Sequence, residues 1–150
     1  MKLAEALMLR SDLQNRLEQL RERLKANALV QEGEKPAEDP AALLEELSSG
    51  TAQLEELIAR INLTNAAIQK DGKTMTELLA HREALTLRIS IARSLLETAS
   101  RPIMRGSRME VKILSTVDVA AIRKETDALA QELRLLDTTI QSTNWTEELR

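Results

Sequence analysis

Seven positions near the end of the chain, Val119, Ile122, Thr126, Leu129, Leu133, Leu136 and Ile140, follow one another at alternating steps of three and four. Side chains at that spacing stay on one side of a helix, and they line up against a neighbour when two helices wind slightly around each other. The spacing therefore commits this segment to a coiled-coil-like seam, and a single helix cannot hide such a seam from water by itself.

The same rhythm recurs upstream. Ala6, Leu13 and Leu20 interleave with Leu3, Arg10, Leu17 and Leu24, which predicts a helix over 2–27. Leu47, Leu54, Ile61 and Ile68 repeat every seven residues with Leu44, Thr51, Ile58 and Asn65 as the companion row. Asp39-Pro40 supplies a cap and a first-turn proline, so the second helix is expected over 40–69, with Ser48-Ser49-Gly50 as a point where it could bend or fray. Lys70-Asp71-Gly72-Lys73 reads as a short turn that stops it. Thr74-Met75-Thr76-Glu77 matches a capping box and opens a third helix over 75–99. Its seam rows are Leu78, Leu85, Ala92, Ala99 and Arg82, Ile89, Leu96. Leu87, Ile91 and Leu95 add a second apolar strip, which a lone hairpin would leave wet. The fourth helix is expected over 117–141, with Thr116 as its cap and Asp118 in its first turn.

Two connections are longer. Gln31 to Glu38 is a polar loop with one Gly and one Pro. Arg101 to Ser115 contains Pro102 and Gly106, and Met109, Val111 and Ile113 alternate with Glu110 and Lys112, the period of a strand. A small hairpin or strand is therefore expected near 103–114. The fold class that follows is mainly all-α: one helical domain, 1–150, of four long antiparallel helices, forming a coiled-coil-like bundle or two helical hairpins.

Composition narrows the function classes. Trp145 is the single aromatic residue, so the interior must be filled by aliphatic side chains and base stacking is not available. A net charge of -3 with interspersed signs leaves no electrostatic footprint for nucleic acid. There is no Cys, which removes disulfides, thiolate metal sites and thiol nucleophiles and fits a cytoplasmic protein. Glu5 and Arg10 interrupt the first apolar run, so it does not read as a signal peptide. No apolar stretch of about 18 residues occurs, so no membrane partner is expected.

Met1 to Leu7, Gln31-Glu32-Gly33-Glu34 and Ile61-Asn62-Leu63-Thr64-Asn65-Ala66 resemble the septicolysin-like family of small bacterial proteins. So do Val117-Asp118-Val119 and Leu136 to Trp145. The resemblance covers nearly the whole chain. It implies a mostly helical, functionally uncharacterised protein, and the family name implies a thiol-activated, pore-forming cytolysin. Thiol activation is chemically impossible in a chain without Cys.

A few residues stand out as candidates for chemistry. Glu77 and His81 lie one turn apart and could share a divalent metal, the one cofactor this pair allows; the bland reading is a surface histidine after a capping acid. Arg10 and Arg82 replace Leu at seam positions and could bind a small anion, or pair with acids such as Asp12, Glu83 or Asp137. Asn62 and Asn65 could bind a ligand, but an Asn on a seam more commonly fixes register. Val111, Ile113 and Trp145 are the expected interface residues. No phosphate loop, catalytic triad or paired-carboxylate motif is present, which favours a protein other than an enzyme. The reading is a self-associating helical protein with a structural or interaction role, its partner a second copy of itself. The alternatives are a metal- or anion-binding bundle and a membrane-active cytolysin.

Overall fold

A computed structural model describes residues 1–101 and 113–150. It contains four helices, α1 (Leu3–Ala26), α2 (Pro40–Ala67), α3 (Met75–Ala99) and α4 (Val119–Thr146), with two short strands, β1 (Gln69–Lys70) and β2 (Lys73–Thr74), between α2 and α3. The mainly α fold is as the spacing requires. The chain divides into two compact units, one of Met1–Met75 with Gln141–Arg150, the other of Thr76–Ile140.

In the first unit α1 and α2 run antiparallel. Arg23 of α1 meets Glu46 of α2, and Leu17 meets Gly50. The buried side of α1 carries Leu3, Ala6, Leu13 and Leu20, the rows read from the sequence. On α2 one row is as expected, with Ile61 and Ile68 buried and Leu47 and Leu54 half-buried. The companion row differs. It is Leu43, Gly50, Leu57 and Thr64, one residue earlier than Leu44, Thr51, Ile58 and Asn65. Leu43-Leu44 and Leu57-Ile58 are apolar pairs that fit either register, so the choice falls to Gly50 and Thr64. A Cβ on residue 50 would lie 2.9 Å from Leu17 Cδ2, so the glycine leaves room for the end of the Leu17 side chain where the two helices meet. α2 passes through Gly50 without a break. Thr64 is fully buried, and its hydroxyl donates to the Arg60 carbonyl at 2.7 Å and accepts from the Arg150 amide at 3.1 Å. A threonine so satisfied can occupy a seam position without the cost of an orphaned polar group.

The loop from α1 to α2 is held by side chains. Asn27 is buried at the end of α1; its amide donates to the Arg23 carbonyl at 2.8 Å and its oxygen accepts from the Glu38 backbone N–H at 2.9 Å. Arg23 grips the Glu38 carboxylate through Nε and Nη2, and Asp39 caps α2 by accepting from the Ala41 N–H at 3.0 Å.

The expected turn at 70–73 is a β-hairpin. Asp71 and Gly72 both have positive φ, 51° and 79°, the mark of a type I′ turn, and they pair Gln69 with Thr74 and Lys70 with Lys73. Asp-Gly is the strongest short-range hairpin signal, and it ends α2 at Ala67. The strand expected near 103–114 lies mostly outside the described residues, Val111 among them; Ile113 and Leu114, which are described, are exposed and form no strand.

The C-terminal residues close the first unit. The Leu3 amide donates to the Glu147 carbonyl at 3.0 Å and the Leu149 amide to the Met1 carbonyl at 2.9 Å, making an antiparallel bridge between Lys2 and Glu148. Lys70 meets Glu147 at 3.2 Å and Arg60 Nε donates to the Arg150 carbonyl at 2.8 Å. The polar C-terminal residues are thus hydrogen-bonded along their length.

In the second unit α3 and α4 are antiparallel, with His81 facing Glu132 and Arg88 facing Glu125. Leu78, Leu85 and Ile89 of α3 and Thr126 and Ile140 of α4 are buried, all on the expected rows. α4 departs from expectation at both ends. Asp118, not Thr116, caps it: its carboxylate accepts from the Ala121 N–H at 3.0 Å, and the helix begins at Val119 rather than 117. It continues to Thr146 rather than stopping near Gln141, because Thr143, three residues after Ile140, takes the next seam position and is buried.

Candidate functional site

The residues marked out by the sequence separate into paired and unpaired groups. His81 Nε2 lies 2.9 Å from Glu132 Oε1, a polar partner on α4. Among the described residues no cluster of three or more His, Asp or Glu side chains could hold a metal ion. Arg82 Nη1 lies 3.7 Å from Asp137 Oδ1, one of the three acids offered as partners for the seam arginines. At that distance, with both side chains partly exposed, the pair orients α3 against α4 and adds little stability. Arg10 occupies its seam position in the first unit, and its Nε is a buried nitrogen without a hydrogen-bond partner among the described residues. Asn62 is exposed and Asn65 half-buried; the seam position goes to Thr64, so neither Asn sets the register.

Titration is perturbed at the edges of the first unit. The hydrogen bond from Arg23 holds the Glu38 carboxyl below the usual carboxylate range, and it raises the Arg23 guanidinium in turn. Hydrogen bonds from Lys2 and the terminal ammonium hold Glu148 low. Both acids sit on the surface in ion pairs that tie a loop and a terminus, so they serve structure and have no cleft in which to do chemistry.

The more informative features are apolar. Leu87, Ile91 and Leu95 on α3 are 62%, 61% and 42% exposed, at steps of four that keep them on one face. Leu135 of α4 is exposed as well. In the first unit, Trp145 stands out of the last turn of α4 beside a shallow groove of about 400 Å³ lined by Ala4, Leu7, Met8 and Ser11 of α1. Trp145 remains 55% exposed. The Trp145 groove was legible only in part: the lone tryptophan was visible in the sequence, but its position on the extended α4 and its place beside α1 were not.

Among the described residues no nucleophile is aligned with a base and no donors gather around an enclosed cavity. What this arrangement offers is surface. Among the described residues no helix is long and apolar enough to cross a membrane.

A crystal structure described as a functionally unknown conserved protein from Corynebacterium diphtheriae is similar over 100% of this chain and 99% of that one, at 39% identity and a TM-score of 0.91. No curated protein matches. Neither finding carries the septicolysin-like name. Residues 10–149 match the model of a family described as a family of unknown function (DUF6847), and the chain belongs to that family.

Proposed function

We propose that the protein works by self-association, as a helical structural or interaction protein whose second hairpin presents an aliphatic strip to another copy. The supporting observation is the exposure of Leu87, Ile91 and Leu95 on a helix whose opposite side is already buried against α4. Isolated exposed leucines need no explanation, but three on one helical face form a stripe that a monomer gains nothing by displaying. A cytoplasmic setting goes with this reading. Light scattering over micromolar concentrations tests it: the wild type is expected to exceed the 16.8 kDa monomer mass, and Leu87→Glu with Ile91→Glu to return it to monomer with unchanged helicity. A monodisperse monomer at every concentration defeats the proposal.

A second reading, binding of a small anion, is favoured by the orphaned Nε of Arg10. A guanidinium nitrogen removed from water without an acceptor gains most from a bound oxyanion. Thermal stabilisation by inorganic phosphate that disappears in Arg10→Gln would support it; equal behaviour of the two proteins would dispose of it.

A further inference from the structure

The outer face of α3 has a symmetry that its neighbours lack. Ala84, Leu87, Ile91, Leu95 and Thr98 are all exposed and follow at steps of three, four, four and three. The pattern is a palindrome about Ile91: apolar Leu87 and Leu95 lie equally far from it, and the small Ala84 and Thr98 close the two ends. A strip that reads the same in both directions is self-complementary when two copies meet antiparallel across a two-fold axis.

We propose that two copies of this chain pair through α3 in antiparallel orientation, about a two-fold axis at Ile91, with Leu87 of each copy against the partner's Leu95. The inference rests on the self-association reading and adds to it which face is used and in which direction. Charge at the margin agrees with the direction. Glu83 lies on one edge of the strip near its start, and Arg101, just past the end of α3, pairs with Glu97 on that same edge, so antiparallel seating sets each Glu83 beside the partner's Arg101. Parallel seating would leave each Glu83 about 27 Å along the helix from the partner's Arg101, so this pair forms only in the antiparallel arrangement. Among the described residues the Arg101 side chain pairs with Glu97, at 3.4 Å, in a contact so exposed that exchanging it costs little. The strip is about 21 Å long at 1.5 Å per residue, so the contact is narrow, and a dimer held by it alone belongs to the weak, concentration-dependent class.

The absence of Cys makes the geometry directly testable, because a single introduced cysteine is the only thiol in the molecule. Disulfides form only at Cα separations of about 4.4–6.8 Å. On the proposed axis Ile91→Cys meets its own copy and should cross-link under mild oxidation. Leu87→Cys is displaced from its own copy by about 12 Å along the helix, so it should not cross-link alone. It should do so when mixed with Leu95→Cys. All three sites are exposed, and circular dichroism of each variant checks that the fold is intact. Glu83→Arg should weaken association by about three- to tenfold, and Arg101→Glu on the same chain should restore it. Self-cross-linking of all three single variants would mean a parallel pair and overturn the inference while leaving self-association intact. An oligomer by light scattering with no cross-links at any of them would overturn it in favour of another face. A monomer by light scattering would remove the reading beneath it.

Discussion

The two units are built on the same seam spacing and finish it differently. In the first, the α1–α2 seam is sealed by additions from elsewhere in the chain: the 69–74 hairpin, the Arg23–Glu38–Asn27 clasp, and the C-terminal residues bonded to Met1, Leu3 and Thr64. Leu3, Leu20, Ile61 and Met75 are almost wholly inaccessible there. In the second, α3 and α4 meet along one seam, several of whose positions, such as Leu96, Leu129 and Leu133, stay half-exposed, and the outer strip of α3 faces water. Heptad spacing thus guarantees one buried line per pair of helices, and full enclosure needs a third partner. The first unit finds that partner in its own loops and terminus, and the proposal is that the second finds it in another copy.

The contrast is sharpest for core truncation. Ile61→Ala should cost about 2–5 kcal/mol in chemical denaturation, because a fully enclosed site leaves a cavity when the side chain is shortened. Leu87→Ala, measured at concentrations low enough to keep the protein monomeric, should fall within about 0.5 kcal/mol of wild type. Similar costs for the two would show that the strip on α3 is covered within the chain. Next comes the close approach at Gly50. Gly50→Val should destabilise by about 1–3 kcal/mol, since its Cβ already lies 2.9 Å from Leu17 Cδ2 and the branched side chain adds bulk beyond it. Gly50→Ala should be nearly neutral: its gain of about 1 kcal/mol in helix propensity offsets a clash that Leu17 relieves by moving into the crevice beside it. A large loss for Ala would mean that Leu17 is rigidly held.

Helix capping should not distinguish the units. Asp39→Ala and Asp118→Ala each remove one bond to a first-turn amide and should each cost about 1 kcal/mol, read from thermal unfolding at neutral pH. A negligible effect at Asp118 alone would identify the second hairpin's entry as frayed. The smallest effect is that of acid. Glu38 and Glu148 both have depressed folded pKa values. Their contribution is therefore complete above the unfolded carboxylate pKa and is lost as pH falls through the folded value. Melting temperatures followed from about pH 6 to about pH 3 should decline less in a Glu38→Gln, Glu148→Gln double variant than in wild type. Parallel declines would show that these surface pairs contribute nothing.

Much of this was legible in the residues. α1, α3 and the central part of α4 follow their apolar rows because Leu and Ile at steps of three and four admit one buried face. α2 was ambiguous where leucines and isoleucines stand side by side, and its register was settled by Gly50 and Thr64, residues that a hydropathy pattern treats as blanks. The Asp71-Gly72 dipeptide carries the signal of a two-residue hairpin, while the glycine alone marks only a turn. Of the candidate site residues, Arg82 meets Asp137, one of the three acids offered for the seam arginines, while His81 meets Glu132, fifty-one positions away and outside any local motif.

Sequence alone determined that the chain is helical, where most helices lie, and that α3 is apolar on two sides, since periodicity and propensity are local properties. Only the tertiary structure decided which of those sides is covered. It also decided that the end of the chain is bonded to its beginning and that a threonine can sit in the core. Burial and hydrogen-bond satisfaction depend on what lies across space from a residue, and no spacing along the chain records that.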